Sequence, residues 1–280
     1  MTLLSGKVLL LTGASRGLGP VIAEAVAKRG ATVVLAARDE NRLRDVAARL
    51  EQLGARTLVV PVDLRQAAQR EELAATAVHE FGAIDVLVNN AGLETEGAYA
   101  ELPWRSIQEN IEVNLVAPLA LTHLILPEML RRHAGHVVNI ASVAAKSGSP
   151  YASVYSATKA GLAEWTRALR LELADSGVHF STIFPCYVRD VGMFARFGVE
   201  PPLLVGSCSP TRVAEAVADA IEKDRPETIV NDRPLRFSFV LNELSPALGD
   251  WLMRFSDAVD FQRRKVARGP VPPEHRSDAR

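Results

Sequence analysis

The sequence predicts an α/β fold, a doubly wound parallel sheet with helices on both faces. Two observations carry that expectation. Short β-branched or leucine-rich runs alternate with longer alanine-rich helical patterns, and the runs are apolar on both faces, as strands buried between two helical layers must be. A chain of 280 residues, 48% of them hydrophobic, can bury one large core, so one domain is expected.

The strands are KVLLLTG, ATVVLAA, RTLVVPVD, DVLVNNAG, GHVVNIAS and VHFSTIFP, and the helices between them span 18–29, 39–53, 66–81, 104–132 and 155–176. Beyond this rhythm there is no internal repeat. The alternation breaks at about residue 186, where an irregular apolar stretch runs to 209. Ser209 and Pro210 then read as the N-cap and first residue of a helix ending near Lys223.

Composition excludes several roles. The 32 basic and 33 acidic residues balance, so there is no basic field to drive nucleic-acid binding. Two cysteines, Cys186 and Cys208, are too few for a disulfide framework, and neither they nor the six scattered histidines have metal-ligand spacing, so no metal is expected. A reducing cytoplasm fits this usage. The N-terminal MTLLSGKVLLLTGAS lacks the features of a signal peptide, and no run reaches the roughly 18 apolar residues of a membrane span.

After the first strand comes TGASRGLG, with Gly13, Gly17 and Gly19 in a GxxxGxG pattern. A glycine-rich turn that opens a helix brings backbone close to a diphosphate and aims free N–H groups and the positive helix end at it. Gly13, Ser15, Arg16, Gly17, Leu18 and Gly19 are therefore candidate cofactor-binding residues. The second strand ends at Ala37–Arg38, where an acidic residue would take a ribose 2′-hydroxyl and an arginine a 2′-phosphate. Arg38, with Arg16 facing it, favours NADP(H), with NAD(H) as the alternative. A plainer role for Arg38 is a solvated helix-start residue beside a capping Asp39.

TGASRGLG, NNAG at 89–92, NL at 114–115, Ser142 and YSATK occur together in one order, and from about residue 5 to 225 the sequence resembles a short-chain dehydrogenase/reductase of the single-domain branch. The resemblance implies a Rossmann-type fold, a nicotinamide cofactor and a catalytic tetrad of Asn114, Ser142, Tyr155 and Lys159. It also implies adenine contacts at Asp63 and Leu64, and cofactor contacts at Asn90, Ala91, Gly92, Tyr155, Lys159, Pro185 and Val188. Tyr155 and Lys159 are four apart, so on a helix they share a face, and the ammonium is expected to lower the phenol toward the working pH. Taken singly, the same residues have structural readings: stem packing for the pair, a cap for Ser142 and backbone satisfaction at a kink for Asn114. Tyr151 reads as a pocket-wall residue.

The sequence departs from the family at PCYVRDV, where Cys186 replaces a glycine and Asp190 stands at the place of a threonine. That leaves the carboxamide contact in doubt and Cys186 as a packed side chain. Residues 187–209 take the place of a substrate lid, whose Val191, Met193, Phe194, Phe197, Val199, Leu203 and Leu204 suit an apolar substrate or seat the lid itself. Residues 1–230 are thus expected to bind cofactor and catalyse, 231–267 to add two short amphipathic helices flanking Ser245–Pro246, and 268–280 to be a disordered tail. The extension's aromatic residues, with Arg236, Arg254, Arg263, Arg264 and Lys265, could lie on a membrane surface; packing on the domain or a partner is favoured.

The expected function is oxidoreduction between a carbonyl and a secondary alcohol, with Tyr155 as acid/base and a homodimer or homotetramer as the assembly. The alternatives are a non-catalytic dinucleotide-binding regulator or scaffold, and an epimerase or dehydratase of the same family.

Overall fold

In the computed structural model, which describes residues 3–202, 205–255 and 257–269, the alternating runs form strands and helices in the expected order. The elements are β1 (Val8–Thr12), α1 (Leu18–Ala27), β2 (Thr32–Ala37), α2 (Glu40–Gln52), β3 (Thr57–Pro61), α3 (Ala67–Phe81) and β4 (Val86–Asn89). Then come α4 (Trp104–Ile111), α5 (Ala117–Arg131), β5 (Gly135–Ile140), α6 (Ala144–Ser147), α7 (Ser153–Glu172) and β6 (Val178–Pro185). The remainder is β7 (Tyr187–Val188), α8 (Gly192–Ala195), β8 (Ser207–Cys208), α9 (Pro210–Lys223), β9 (Glu227–Val230), α10 (Arg236–Leu244), α11 (Pro246–Phe255) and α12 (Ala258–Arg268).

Seven strands make one parallel sheet in the order β3-β2-β1-β4-β5-β6-β9, so the chain reverses direction across the sheet between β1 and β4. This is a Rossmann-type arrangement, and ligands bind at that switch point, beyond the strands' C-terminal ends. The two faces differ in their helices. Leu9, Leu11, Val33 and Leu35 pack under Ile22 and Val26 of α1, Leu43 of α2 and Val217 of α9. Leu10, Val34, Leu87 and Val137 pack under Leu73 of α3 and Leu121 and Ile125 of α5.

Four features differ from the sequence expectation. The strand β9 lies in PETIVND, whose short run between Pro226 and Asp232 carries too little periodicity to stand out; β6 pairing with it makes it a strand. The stretch after Pro185 is less irregular than expected, because β7 and β8 pair and the four-residue α8 lies between them. The extension holds three helices where two were expected, and Arg268 closes the third rather than opening a tail. Leu203, Leu204 and residues 270–280 lie outside the described residues. Finally, Trp104–Arg131 runs as one helix, interrupted only by a π-helical turn at Glu112–Val116, and is long and apolar enough to cross a membrane. Here its Ile107, Leu121, Ile125 and Met129 are buried in the protein, as in a core helix.

Candidate active site

The glycine turn is a cradle in which side chains have no room. Gly13 and Gly17 sit at φ 67° and 64°, in the left-handed region. A Cβ on Gly13 would lie 2.8 Å from Ala91 Cα, and one on Gly19 would lie 2.1 Å from the Gly13 oxygen. Helix α1 starts at Leu18 with no side chain capping it and no acid in its first turn; Gly19 N donates to the Arg16 carbonyl at 3.3 Å, and the positive end of the helix dipole faces the turn, where it suits an anion. Ser15 and Arg16 lie on this turn. A dinucleotide diphosphate fits the cradle.

The end of β4 is tied to the end of β1. Asn90 donates from its backbone to Thr12 Oγ1 at 3.0 Å and from Nδ2 to the Thr12 oxygen at 2.9 Å, while Ala91 N donates to Thr12 Oγ1 at 3.1 Å. Asn90 thus builds the cleft wall. At the far edge, Arg38 is exposed and Asp39 caps α2 by accepting from Arg42 N at 3.1 Å, so the plainer role for Asp39 is real. Arg16 is held below its usual pKa, by burial first and then by the charges of Arg196, Arg38 and Arg42. Four guanidiniums therefore share one region.

Asp63 is already engaged. Arg65 donates to its carboxylate from Nε at 3.0 Å and Nη2 at 2.6 Å, and this hydrogen bonding holds the Asp63 carboxyl below its usual range despite opposing desolvation. Leu64 is buried, and its carbonyl accepts from Arg70 at 2.6 Å. At the other end, Pro185 closes β6 and Val188 pairs with Cys208. Asp190 is exposed with φ 66°, a backbone that an L side chain rarely adopts. Cys186 is packed as expected, its thiol pushed up to about 12 by burial.

The tetrad residues converge where β4, β5 and α7 meet. A Cβ on Gly92 would lie 3.5 Å from Asn114 Oδ1 and 3.7 Å from Lys159 Nζ. Lys159 and Tyr155 are both buried in the first turns of α7, with the ammonium 5.7 Å from the phenol ring centroid and donating to the Ile140 carbonyl at 2.7 Å. Ser142, just past β5, accepts from Ala144 N at 3.2 Å and also hydrogen-bonds the Tyr155 phenol. It is therefore both a local cap and a neighbour of the Tyr155 phenol.

Asn114 sits on the π-helical turn, fully buried. Its Oδ1 accepts from Leu93 N at 2.8 Å, and its Nδ2 donates to the Leu93 oxygen and Asn110 Oδ1, both at 2.8 Å, and to Thr158 Oγ1 at 3.2 Å. The amide thus clamps the segment after NNAG against α4 and α7. An interruption of this kind re-aims a side chain that a regular helix would misplace.

One electrostatic expectation is overturned. The Tyr155 phenol is pushed up, not down: burial comes first, Glu94 and Glu96 add to it, and only the Ser142 hydrogen bond opposes. Removing a phenolate from water dominates, and the nearby Lys159 ammonium is itself lowered to about 8 by burial. Lys265, in the extension for which packing is the favoured expectation, is buried against this region. Its Nζ bonds Glu96 Oε1 and lies 3.8 Å from Glu94 Oε1. The sequence reading missed Glu94, Glu96 and Gln262 altogether. A polar pair directly after NNAG, and a lysine on the apolar stripe of α12, were the available signals. Tyr151, expected at the pocket wall, accepts a hydrogen bond at its hydroxyl from Arg263 at 3.0 Å.

A Rossmann-type sheet with this cradle, and a serine, tyrosine and lysine gathered beyond the C-terminal end of β5, defines a nicotinamide-dependent oxidoreductase class. Residues 7–199 match the family model described as short chain dehydrogenase. The chain belongs to the short-chain dehydrogenase/reductase family, whose members use NAD(P)(H) and act on CH–OH or carbonyl groups. It is 42% identical to Ketoacyl reductase HetN of Nostoc over 95% of this chain and 94% of that protein. It is 30% identical to the Dehydrogenase/reductase SDR family protein 7-like of Drosophila melanogaster over 89% of this chain and 80% of that protein. It is 32% identical to Dehydrogenase/reductase SDR family member 7B of Danio rerio over 86% and 82%.

Proposed function

We propose that the protein is an NADP(H)-preferring reductase that interconverts a carbonyl and a secondary alcohol on a small to medium apolar substrate, with Tyr155 as general acid/base. The observation that carries this reading is the convergence of Ser142, Tyr155 and Lys159 beside Gly92, at the mouth of the glycine cradle. The protonated phenol is the form that donates a proton to a carbonyl oxygen in the reductive direction. Ser142 would hold the same oxygen. Lys159 would bind the nicotinamide ribose hydroxyls, and the bound cofactor supplies hydride.

The grouping of Arg16, Arg38, Arg42 and Arg196 supports the phosphate-bearing cofactor, since their mutual repulsion is relieved by an anion. The aromatic lid supports an apolar substrate: Tyr187 lies 4.4 Å from Phe194 and 5.8 Å from Phe261, centroid to centroid. A ketoacyl compound, the class named in the relative from Nostoc, belongs to that range. Exposed Trp104, Ile111, Val116 and Leu124 on the long helix, and Leu171 on α7, support a homodimer or homotetramer through these helices. Two free cysteines suit a reducing cytoplasm.

The test is Tyr155→Phe. NADPH oxidation with a panel of hydrophobic ketones should fall at least a hundredfold while NADPH binding, read by fluorescence, stays within about threefold. Turnover equal to the unsubstituted protein would remove Tyr155 from its role.

A further inference from the structure

The segment that follows β3 lies at the C-terminal edge of the sheet beside the end of β2, where Val62 N donates to the Ala37 carbonyl at 2.8 Å. A dinucleotide whose diphosphate rests in the glycine cradle would bring its purine to this edge. The polar groups of the segment are already engaged. An ionised carboxylate offers about four lone-pair sites, and Arg65 alone fills them at Asp63. Asp63 Oδ1 accepts from Arg65 N at 3.1 Å and Nε at 3.0 Å, and Oδ2 accepts from Nε at 3.0 Å and Nη2 at 2.6 Å. The Asp63 backbone N–H donates to Gln69 Oε1 at 2.7 Å, and the Leu64 carbonyl accepts from Arg70 Nη1 at 2.6 Å. Arg65 is held from its other side too. Its Nη1 donates to Glu109 Oε1 of α4 at 2.9 Å, so the guanidinium is clasped between two carboxylates. Arg70, 7% exposed, donates to Glu112 Oε1 at 2.7 Å and fixes the segment against the π-helical turn.

We propose that Arg65 is a specificity-determining residue for the base of the cofactor: by filling the Asp63 carboxylate it removes the acceptor that a purine 6-amino group would need, so the protein binds its dinucleotide without reading that position. The resemblance implies an adenine contact at Asp63; the geometry leaves that residue holding Arg65 instead. Admitting the base's amino group would exchange a fork of N–H donors on a cation for one bond from a neutral amine, and the charged fork is the stronger partner. The pair is partly buried, and Glu109 keeps the guanidinium from swinging aside. This inference rests on a dinucleotide lying in the cradle. It depends neither on the choice between NADP(H) and NAD(H) nor on the role of Tyr155.

The probe is reduced nicotinamide purine dinucleotide phosphate, the analogue of NADPH in which hydrogen replaces the 6-amino group. Binding of both nucleotides to the full-length protein is read by the fluorescence of the reduced nicotinamide. The two dissociation constants should agree within about twofold, and a preference for NADPH above about threefold overturns the proposal. Arg65→Met frees the carboxylate, so it should create a preference for NADPH of about fivefold or more, and Asp63→Ala added to it should abolish that preference. A pair that only holds the segment in shape would change both affinities alike in Arg65→Met and leave their ratio unmoved, which also overturns the proposal. If Arg65→Met does not fold, the ratio in the unsubstituted protein decides alone. The two readings fail differently. If neither nucleotide binds the unsubstituted protein, the cradle reading falls and this inference with it; if NADPH binds and its analogue binds far more weakly, only this inference falls.

Discussion

At the scale of single residues, charge decides what each group can do. Lys159 donates to the Ile140 carbonyl and sits beside the Tyr155 ring, yet the phenol is raised, by burial first and then by Glu94 and Glu96, with only the Ser142 hydrogen bond opposing. Spacing alone could place Tyr155 and Lys159 on one face; it could not supply Glu94 and Glu96. Arg38 shows the same division. Its position at the end of β2 is readable from the sequence, whereas its company of Arg16, Arg42 and Arg196 comes from α2, the glycine turn and the lid meeting in space. Arg38→Asp should weaken NADPH binding tenfold or more and tighten NADH, since it puts a carboxylate where the 2′-phosphate is proposed to bind. Titrations of both nucleotides check this, and an unchanged ratio would reject the phosphate reading.

Among the elements, the turn into α1 shows how tightly glycine positions bind the design. The GxxxGxG pattern was legible because each glycine answers a local demand: positive φ at Gly13 and Gly17, and contact with the Gly13 carbonyl at Gly19. Gly19→Ala would set a Cβ 2.1 Å from that carbonyl, so α1 must shift away from β1. About 1–3 kcal/mol of stability should be lost, seen as a melting temperature lower by several degrees, together with at least tenfold weaker dinucleotide binding. The π-helical turn in the long helix was not legible. Its residues, EVNLV, continue a helical pattern, and only Asn114 bonding to Leu93, Asn110 and Thr158 across three segments rewards the extra residue. Likewise β9 needed β6 beside it to become a strand.

For the molecule as a whole, the extension is divided in its behaviour. Helix α12 buries Phe261, Gln262 and Lys265 against the cleft, whereas α10 and α11 leave Phe237, Val240, Leu244, Trp251 and Phe255 exposed. Packing on the body, the favoured expectation, holds for α12. Ending the chain at Phe255 would uncover Tyr187, Phe194 and Phe197 and strip Glu94 and Glu96 of their cation. The shortened protein should melt several degrees lower, bind more of a hydrophobic dye, and show a raised KM for ketones while retaining NADPH binding; an unchanged KM would remove α12 from the cleft. By itself the sequence determined the order of strands and helices, the glycine cradle and the shared face of Tyr155 and Lys159, because periodicity, backbone φ and helical spacing act between near neighbours. Only the tertiary structure decided the sign of the phenol's shift and the burial of Lys265 against Glu96, because burial and through-space charge join groups as far apart as the 169 positions between Glu96 and Lys265.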